Sequence, residues 1–528
     1  MDSMAGARRE TRPTPTFHRK LHHSRALCRC ACVLNFLVFI SVCASGVATA
    51  QCRRVSTSSE PAIASCHSPR LMRLGLPTGV MDTNCSVDTL DEHTLDHNGA
   101  SLGDLLGQLV QRTYFRIFKV DLSKACPFWG GRAATCSQPD CSVLVCDPGE
   151  VPETFKCPPP ALDTSSALDA ASAEALGRLE RPSHRHALPP FQPYLLEDGE
   201  SWTAQDNDAT SEYVDLLRNP EGYTGYQGQH VWEAIYRENC FKTAPCDAVA
   251  GQAVPMALPD GRQRVCKEER VFYRIISGLH TSITMHIARQ YLLSNGSWGA
   301  NPAIYQRRVR DHPQRIENLY FAYALALRAA SKAADILVQR TDYRTGDEAE
   351  DAATSRLLQQ VFDSPLLKPG SQLCRQTFDE REMFRECCDK RLTQFRAHFR
   401  NISVVMDCVG CEKCRLWGKL QFLGMGTALK ILFADVTECG PARTAPPPLN
   451  RNEVVALLNV LHKLAQSIRA LHDLEALLSA QEHARRRQMA WLAGVLLTGV
   501  PLLWRAWWAQ ARRRRRHAVP VEKSTKYN

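Results

Sequence analysis

Along residues 211–480 the apolar side chains recur at spacings of three and four, the period of a helix and not of a strand. Residues 270–293 and 316–338 both read this way, and both are long enough to cross a domain. A further helix runs to Asn401. Residues 416–433 place Leu416, Leu420, Leu423, Leu429 and Leu432 along a stripe, and residues 453–478 form a strongly periodic amphipathic helix. Residues 342–351 are charged and read as a loop. Upstream, one amphipathic helix is expected over residues 102–118, inside a Cys-rich section (51–157) of short loops. Residues 158–193 are rich in Pro, Ala and Ser and read as a linker or surface loop extending to residue 210. Convincing strand patterns are few and no internal repeat is present. The expected fold is mainly α: a single helical domain with disulfide-rich loops and an apolar helix at the C-terminus.

Both ends depart from this pattern. Residues 1–50 begin with Arg8, Arg9, Arg12, Arg19, Lys20, Arg25 and Arg29, continue with an apolar run over 33–42, and finish Ala48-Thr49-Ala50. That order is a secretory signal with a cut before Gln51, or an uncleaved signal anchor. At the other end residues 489–504 hold no charge, with Arg485–Arg487 before them and Arg505, Trp507, Trp508 and Arg512–Arg516 after. A spanning helix takes about 20 apolar residues, so this run is short. Tryptophan at its edges and the arginine block beyond favour a single-pass membrane anchor over an interfacial or a buried helix.

The charge pattern fits that division. The formal net charge is +10, yet residues 481–528 carry +9 and residues 1–50 carry +5, which leaves about −4 on the body. Basic charge at the termini argues for a membrane surface and against nucleic acid. Of 22 cysteines, 18 follow Ala50, a density that belongs to an oxidising compartment. Sequons at Asn84, Asn295 and Asn401 are compatible with lumenal glycosylation.

The chemistry lies in two cysteine groups. Cys408-Val-Gly-Cys411-Glu-Lys-Cys414 sets three thiols three residues apart. Cys411 and Cys414 at a helix start can close a small disulfide, and the helix N-terminus favours the reactive thiolate. The alternatives are a structural disulfide cluster or a zinc site, although no partner pair with metal-ligand spacing appears and no metal is expected. In the second group Cys136, Cys141 and Cys146 are equally spaced, so Cys141 can exchange between two neighbours. A plain knotted loop has the same spacing.

The run from Cys408 to Phe433, CVGCEKCRLWGKLQFLGMGTALKILF, resembles the signature of the endoplasmic reticulum oxidoreductins. So do CPFW at 126–129, EYVDLLRNPEGYTGYQG at 212–228, IYRENCF at 235–241, FYRIISGLH at 272–280 and NLYF at 318–321, in the family's order. The resemblance implies a helical fold that holds FAD, and a thiol oxidase that takes electrons from protein disulfide isomerase. They would pass from an outer pair, Cys136–Cys141, to an inner pair, Cys411–Cys414, then to FAD and to molecular oxygen, giving hydrogen peroxide. By position, Cys126 would bridge Cys408, Cys240 would bridge Cys266, and Cys146 would hold Cys141 in an inactive, regulatory pairing. FAD contacts would fall on Thr224, Trp232, Ser277, His280, Arg308 and Arg315, with Arg307 or Arg310 as substitutes for Arg308. No Rossmann glycine fingerprint is present.

Gly222 departs from the pattern, since the family carries an Arg there that contacts FAD. Arg218, Arg307 or Arg310 could replace that contact. Thr83 stands where a partner for Cys85 would be, and Cys157, Cys246, Cys374, Cys387, Cys388 and Cys439 have no counterpart. The rival reading is a non-catalytic, membrane-anchored, disulfide-rich binding protein on the same scaffold. A thioredoxin-like reductase lacks the βαβ pattern its CxxC would need.

Overall fold

The computed structural model describes residues 87–95, 101–128, 141–156, 201–204, 206, 210–223, 228–239, 267–368, 388–434 and 447–516, all within a unit spanning residues 62–528. In chain order the elements are α1 (Val87–Leu95), α2 (Leu102–Leu109), α3 (Thr113–Arg116), β1 (Ile117–Val120), α4 (Glu153–Lys156), β2 (Glu212–Asp215), α5 (Gln229–Arg237) and α6 (Lys267–Arg289). They continue with β3 (Tyr291–Leu292), β4 (Trp298–Gly299), α7 (Pro302–Tyr305), α8 (Pro313–Lys332), α9 (Glu348–Asp363), α10 (Cys388–Val405), α11 (Glu412–Leu432) and α12 (Arg451–Arg516). The protein is mainly α, as its periodicity predicts. Residues 1–50, read as a signal, and residues 158–193 lie outside the described residues.

The core is built from α6, α8, α11 and the first half of α12. Phe272, Ile276 and Leu279 of α6, Phe321 and Tyr323 of α8, Leu420, Phe422 and Met425 of α11, and Leu458, Leu461 and Leu464 of α12 are each no more than 1% exposed. Burying each such aliphatic or Phe side chain contributes about 1.5–3 kcal/mol. Two glycines set how closely these helices approach. A Cβ on Gly278 would overlap the Asn318 carbonyl oxygen and lie 2.6 Å from Ala322 Cβ, so α6 rests directly on the α8 backbone. A Cβ on Gly424 would overlap the Ala456 carbonyl and lie 2.8 Å from Val460 Cβ, which brings α11 onto α12. Helix α11 is therefore buried on nearly every face, and not only along its leucine stripe.

Three expected boundaries are corrected. Residues 102–118 are not one helix, because the chain breaks after Leu109 and Ile117–Val120 becomes a strand. That strand pairs antiparallel with β2, Ile117 opposite Asp215 and Val120 opposite Glu212, and a partner so distant in sequence leaves no local period. The charged stretch 342–351 ends inside α9: Asp347 Oδ1 accepts from the N–H of Ala349 at 3.0 Å and of Glu350 at 3.2 Å. Glu348, Glu350 and Asp351 then favour the positive end of the helix dipole. Finally, residues 453–478 and the apolar run 489–504 belong to one helix, α12, of 66 residues. Its first part is buried, whereas Met489, Trp491, Leu497, Leu503, Trp504 and Trp507 are exposed. By length and composition this helix can cross a membrane, with a mean hydropathy of 1.4 over its apolar window.

At the end of the stretch read as a linker, Trp202 is buried and stacks on Phe433 at 5.6 Å. Of the sequons, Asn295 is exposed in the β3–β4 turn. Asn401 is fully buried with its Nδ2 donating to Glu238, and Asn84 lies outside the described residues.

Candidate active site

The Cys408–Cys414 turn joins α10 to α11. Cys126 and Cys408 are joined in a disulfide across a sequence separation of 282, which fixes the turn to the Cys-rich section. Arg415 reinforces it, donating from Nε to the Val409 carbonyl at 3.0 Å and from Nη1 to the Leu122 carbonyl at 2.5 Å. Cys411 occupies the N-cap of α11 and is fully buried, while Cys414 is partly buried one turn later. Both are thiols, hydrogen-bonded to each other. That bond from Cys414, with the N–H groups of Cys414 and Lys413 and the Lys413 charge, holds Cys411 below the ordinary thiol range. The start of α11 thus favours negative charge at this sulfur. Cys414 is pushed far up by the same bond, by burial, and by the charges of Cys411 and Glu221.

The segment after Cys141 lies against this turn. The Val143 N–H donates to Glu412 Oε2 at 3.1 Å, and Leu144 exchanges bonds with the Asn219 side chain at 2.7 and 2.8 Å. Asn219 in turn accepts from Trp417 Nε1 through its carbonyl at 2.9 Å. Cys141 is buried and disulfide-bonded. Cys146 is a buried free thiol, so the regulatory Cys141–Cys146 pairing implied by resemblance is not the arrangement found. Cys136 lies outside the described residues, as do Cys240, Cys266 and Thr224.

A second group forms where α5, α6 and the turn before α8 meet. Trp232 and His280 stack nearly parallel, with ring centroids 3.7 Å apart. Tyr236 Oη bonds His280 Nδ1 at 2.9 Å. Burial and then the positive charges of Arg315 and Arg308 keep His280 well below its ordinary range, so it is a neutral ring facing two guanidiniums. Arg308 is exposed on a widened helical turn, Gln306–Arg310, and its carbonyl accepts from Arg315 Nη1 at 2.5 Å. Ser277 Oγ accepts from Asn318 Nδ2 at 3.0 Å.

The sequence matches the family profile described as Endoplasmic Reticulum Oxidoreductin 1 over residues 101–471. The chain belongs to the Endoplasmic Reticulum Oxidoreductin 1 family. It is 40% identical over 414 residues to endoplasmic reticulum oxidoreductin-1 of Arabidopsis thaliana, covering 76% of this chain and 81% of that protein. It is 37% identical over 440 residues to ERO1-like protein alpha of Mus musculus, covering 75% and 90%. The solved structure of Ero1p, described as the source of disulfide bonds for oxidative protein folding in the cell, matches with TM-score 0.47 and 22% identity, covering 75% of this chain and 99% of that one.

As an oxidoreductin this chain is an oxidoreductase of the endoplasmic reticulum. The arginines named as substitutes in the oxidoreductin pattern divide clearly. Arg310 is held by Glu475 at 3.3 Å and Glu482 at 2.8 Å, and Arg218 by Glu150 at 2.6 Å. Arg307 is exposed. Gly222 is covered by the Trp298 indole, whose nearest carbon would lie 3.1 Å from a Cβ there.

Sequence reasoning missed Glu221, Tyr223, His286, Gln421 and Lys463, which form a buried polar group beside the dithiol. They come from four distant segments. Glu221 and Tyr223 lie inside a recognised block, yet nothing in their spacing points to a buried ion pair.

Proposed function

We propose that this oxidoreductin is a FAD-dependent thiol oxidase that oxidises protein disulfide isomerase. Electrons would pass from Cys136–Cys141 to Cys411–Cys414, to FAD and to molecular oxygen, with hydrogen peroxide as product. The observation that carries this reading is the placement of Cys141. Its segment is hydrogen-bonded, through Val143 and Glu412, to the turn that holds the inner dithiol. A disulfide on a segment tied to that turn can exchange with the dithiol when the loop moves.

The residues present suit a flavin dinucleotide. Trp232 and His280 offer flat ring surfaces, and Arg308 and Arg315 supply the cationic partners a pyrophosphate needs. The two rings touch, so a flat ligand stacks on an outer face or parts them. When bound, FAD supplies the two-electron chemistry that carries reducing equivalents from thiols to oxygen. The protein's own residues perform the rest. The α11 N-terminus and Lys413 stabilise a thiolate on Cys411. Burial of Cys411 keeps bulk water and bulky thiols away, and the Cys126–Cys408 bridge holds the turn in place.

The exposed half of α12 anchors the body to the endoplasmic reticulum membrane, with Trp491 and Trp504 at the edges of the apolar run. The catalytic core spans residues 211–480, and the shuttle loop lies in the Cys-rich section 51–157.

Purified protein should be yellow, and reduced isomerase should drive oxygen uptake. Cys411→Ala or Cys414→Ala should abolish that uptake while the flavin stays bound. Thiol-driven uptake retained in either variant would sink the assignment of the inner pair. A colourless but folded preparation would favour the non-catalytic binding protein.

A further inference from the structure

Helix α11 presents one face of spacing three and seven, Cys414, Trp417 and Gln421, to a buried polar cluster. At its centre Glu221, 7% exposed, accepts from Gln421 Nε2 at 3.2 Å and from Tyr223 Oη on one carboxylate oxygen. The other oxygen lies 2.9 Å from Lys463 Nζ, an ion pair, and 3.2 Å from Nδ1 of the neutral His286. Lys463 Nζ also sits 4.1 Å above the Trp417 ring. His286 Nε2 is turned to the Lys463 carbonyl and Ser467 Oγ, both at 3.0 Å. Four elements thus converge on one carboxylate next to the dithiol: the loop after β2, α6, α11 and α12.

We propose that Glu221 is a positioning residue for the Cys411–Cys414 dithiol: its buried carboxylate, held by Tyr223, Gln421, His286 and Lys463, keeps the dithiol's single negative charge on Cys411 and off Cys414. The two sulfurs share one hydrogen bond, and a symmetric pair would place the thiolate on either. The surroundings are not symmetric. Cys411 faces the open N–H groups of α11 and Lys413, which favour negative charge. Cys414 lies on the α11 face whose Gln421 bonds Glu221, and the Glu221 charge opposes its ionisation; the Tyr223 hydroxyl is committed to Glu221 and is kept protonated by burial and by that charge.

The other charged groups nearby do not cancel this difference. Glu412 is turned to Val143 and Arg415 to the Val409 and Leu122 carbonyls. Lys463 lies against Glu221 and reduces its field without reversing it. His286 and His462, both buried, are held low, to about 4 and about 3, and are neutral at the pH of the endoplasmic reticulum. Behind the cluster a cavity of about 860 Å³, lined by Glu221, His286, Trp417, His462 and Lys463, brings solvent to Lys463. Ammonium and carboxylate both line this cavity, so solvent screens them alike, and the carboxylate's charge still opposes ionisation of Cys414.

This inference rests on the dithiol being the inner relay, and its test reads thiol chemistry without flavin turnover. Reduced full-length protein in detergent is alkylated with iodoacetamide over about pH 6 to 10, spanning the ordinary thiol range. Rates at Cys411 and Cys414 are then resolved by peptide mass spectrometry. In the parent, Cys411 should react at least about tenfold faster than Cys414, the ratio set by one unit of pKa difference. Glu221→Gln should speed Cys414 by about tenfold and change Cys411 by less than about threefold. Tyr223→Phe keeps the packing and removes one donor, so it concentrates charge on the carboxylate and should slow Cys414 further. It decides the matter where Glu221→Gln does not fold. Glu453→Gln, which breaks a different buried ion pair with Lys430, should leave the ratio at the parental value. A ratio within about twofold of the parent in the folded members of Glu221→Gln and Tyr223→Phe overturns the proposal. The expected ratios in a chain that never oxidises isomerase would reject the proposed function and keep this inference.

Discussion

Gly278→Ala tests whether the cofactor group depends on the contact between α6 and α8. Alanine is the better helix former by about 1 kcal/mol, which alone would make the variant more stable. The new Cβ, however, would lie 2.6 Å from Ala322 Cβ and closer still to the Asn318 carbonyl oxygen. Carbon atoms pack best at about 3.5–4.0 Å, so the helices must part by about 1 Å. Because the obstacle is backbone, no rotamer change relieves it, and such overpacking costs about 1–3 kcal/mol. The same parting stretches two bonds of the buried Asn318 side chain, its Nδ2 to Ser277 Oγ and its Oδ1 from Arg274 Nε, both now 3.0 Å. Each is worth about 1 kcal/mol. The balance is a loss of about 2 kcal/mol, roughly thirtyfold in the folding equilibrium. His280 lies two residues further along α6 and Arg315 one turn before Asn318, so the two walls of the group separate as well. Thermal melting and bound flavin per chain should both fall. A variant that melts at or above the parent's temperature would mean that propensity outweighs the clash. A destabilised variant with full flavin content would refute the link to the site.

Replacing Cys136 and Cys141 together with Ala should eliminate oxidation of the isomerase and spare some oxidation of a small dithiol; oxygen uptake with both substrates decides this, and isomerase oxidation at the parental rate would end the proposed route. Changing Cys146 alone to Ala should raise activity if it competes for Cys141, and no change would remove that regulatory role. Acid should destabilise the fold from just below neutral pH, because His286 and His462 are held by burial at about 4 and about 3. Both are neutral in either state above about pH 6.5. As pH falls, the unfolded chain takes up protons that the folded chain refuses, at up to about 1.4 kcal/mol per pH unit for each histidine. Glu221, held near 2 despite burial by His286, Lys463 and Tyr223, adds its loss only below about pH 4.5. Melting temperatures should therefore drop from pH 7.5 to 5, and a flat profile would contradict the assignment of neutral buried imidazoles. Truncation after Leu478 should release soluble, active protein from membranes, and full extraction of the intact chain by high salt alone would rule out a spanning helix.

The sequence alone determined the helical class, the long helices, the apolar C-terminal segment and the dithiol turn. Each of these is local: a helix repeats within four residues, and Cys408, Cys411 and Cys414 are neighbours whatever the rest of the chain does. Resemblance of ordered blocks added the family, and through it Trp232, His280, Arg308 and Arg315, which the fold brings to one corner. Only the tertiary structure decided that residues 117–120 leave their helix, since their hydrogen bonds go to a strand more than ninety residues away. It also joined two readings, an amphipathic helix and an apolar run, into α12, because no cap or breaker separates them between Leu478 and Met489. The cluster around Glu221 lay furthest from view. A buried carboxylate is tolerated only where cations and donors converge on it, and here they arrive from α6, α11 and α12, whose meeting depends on side chains as small as Gly424.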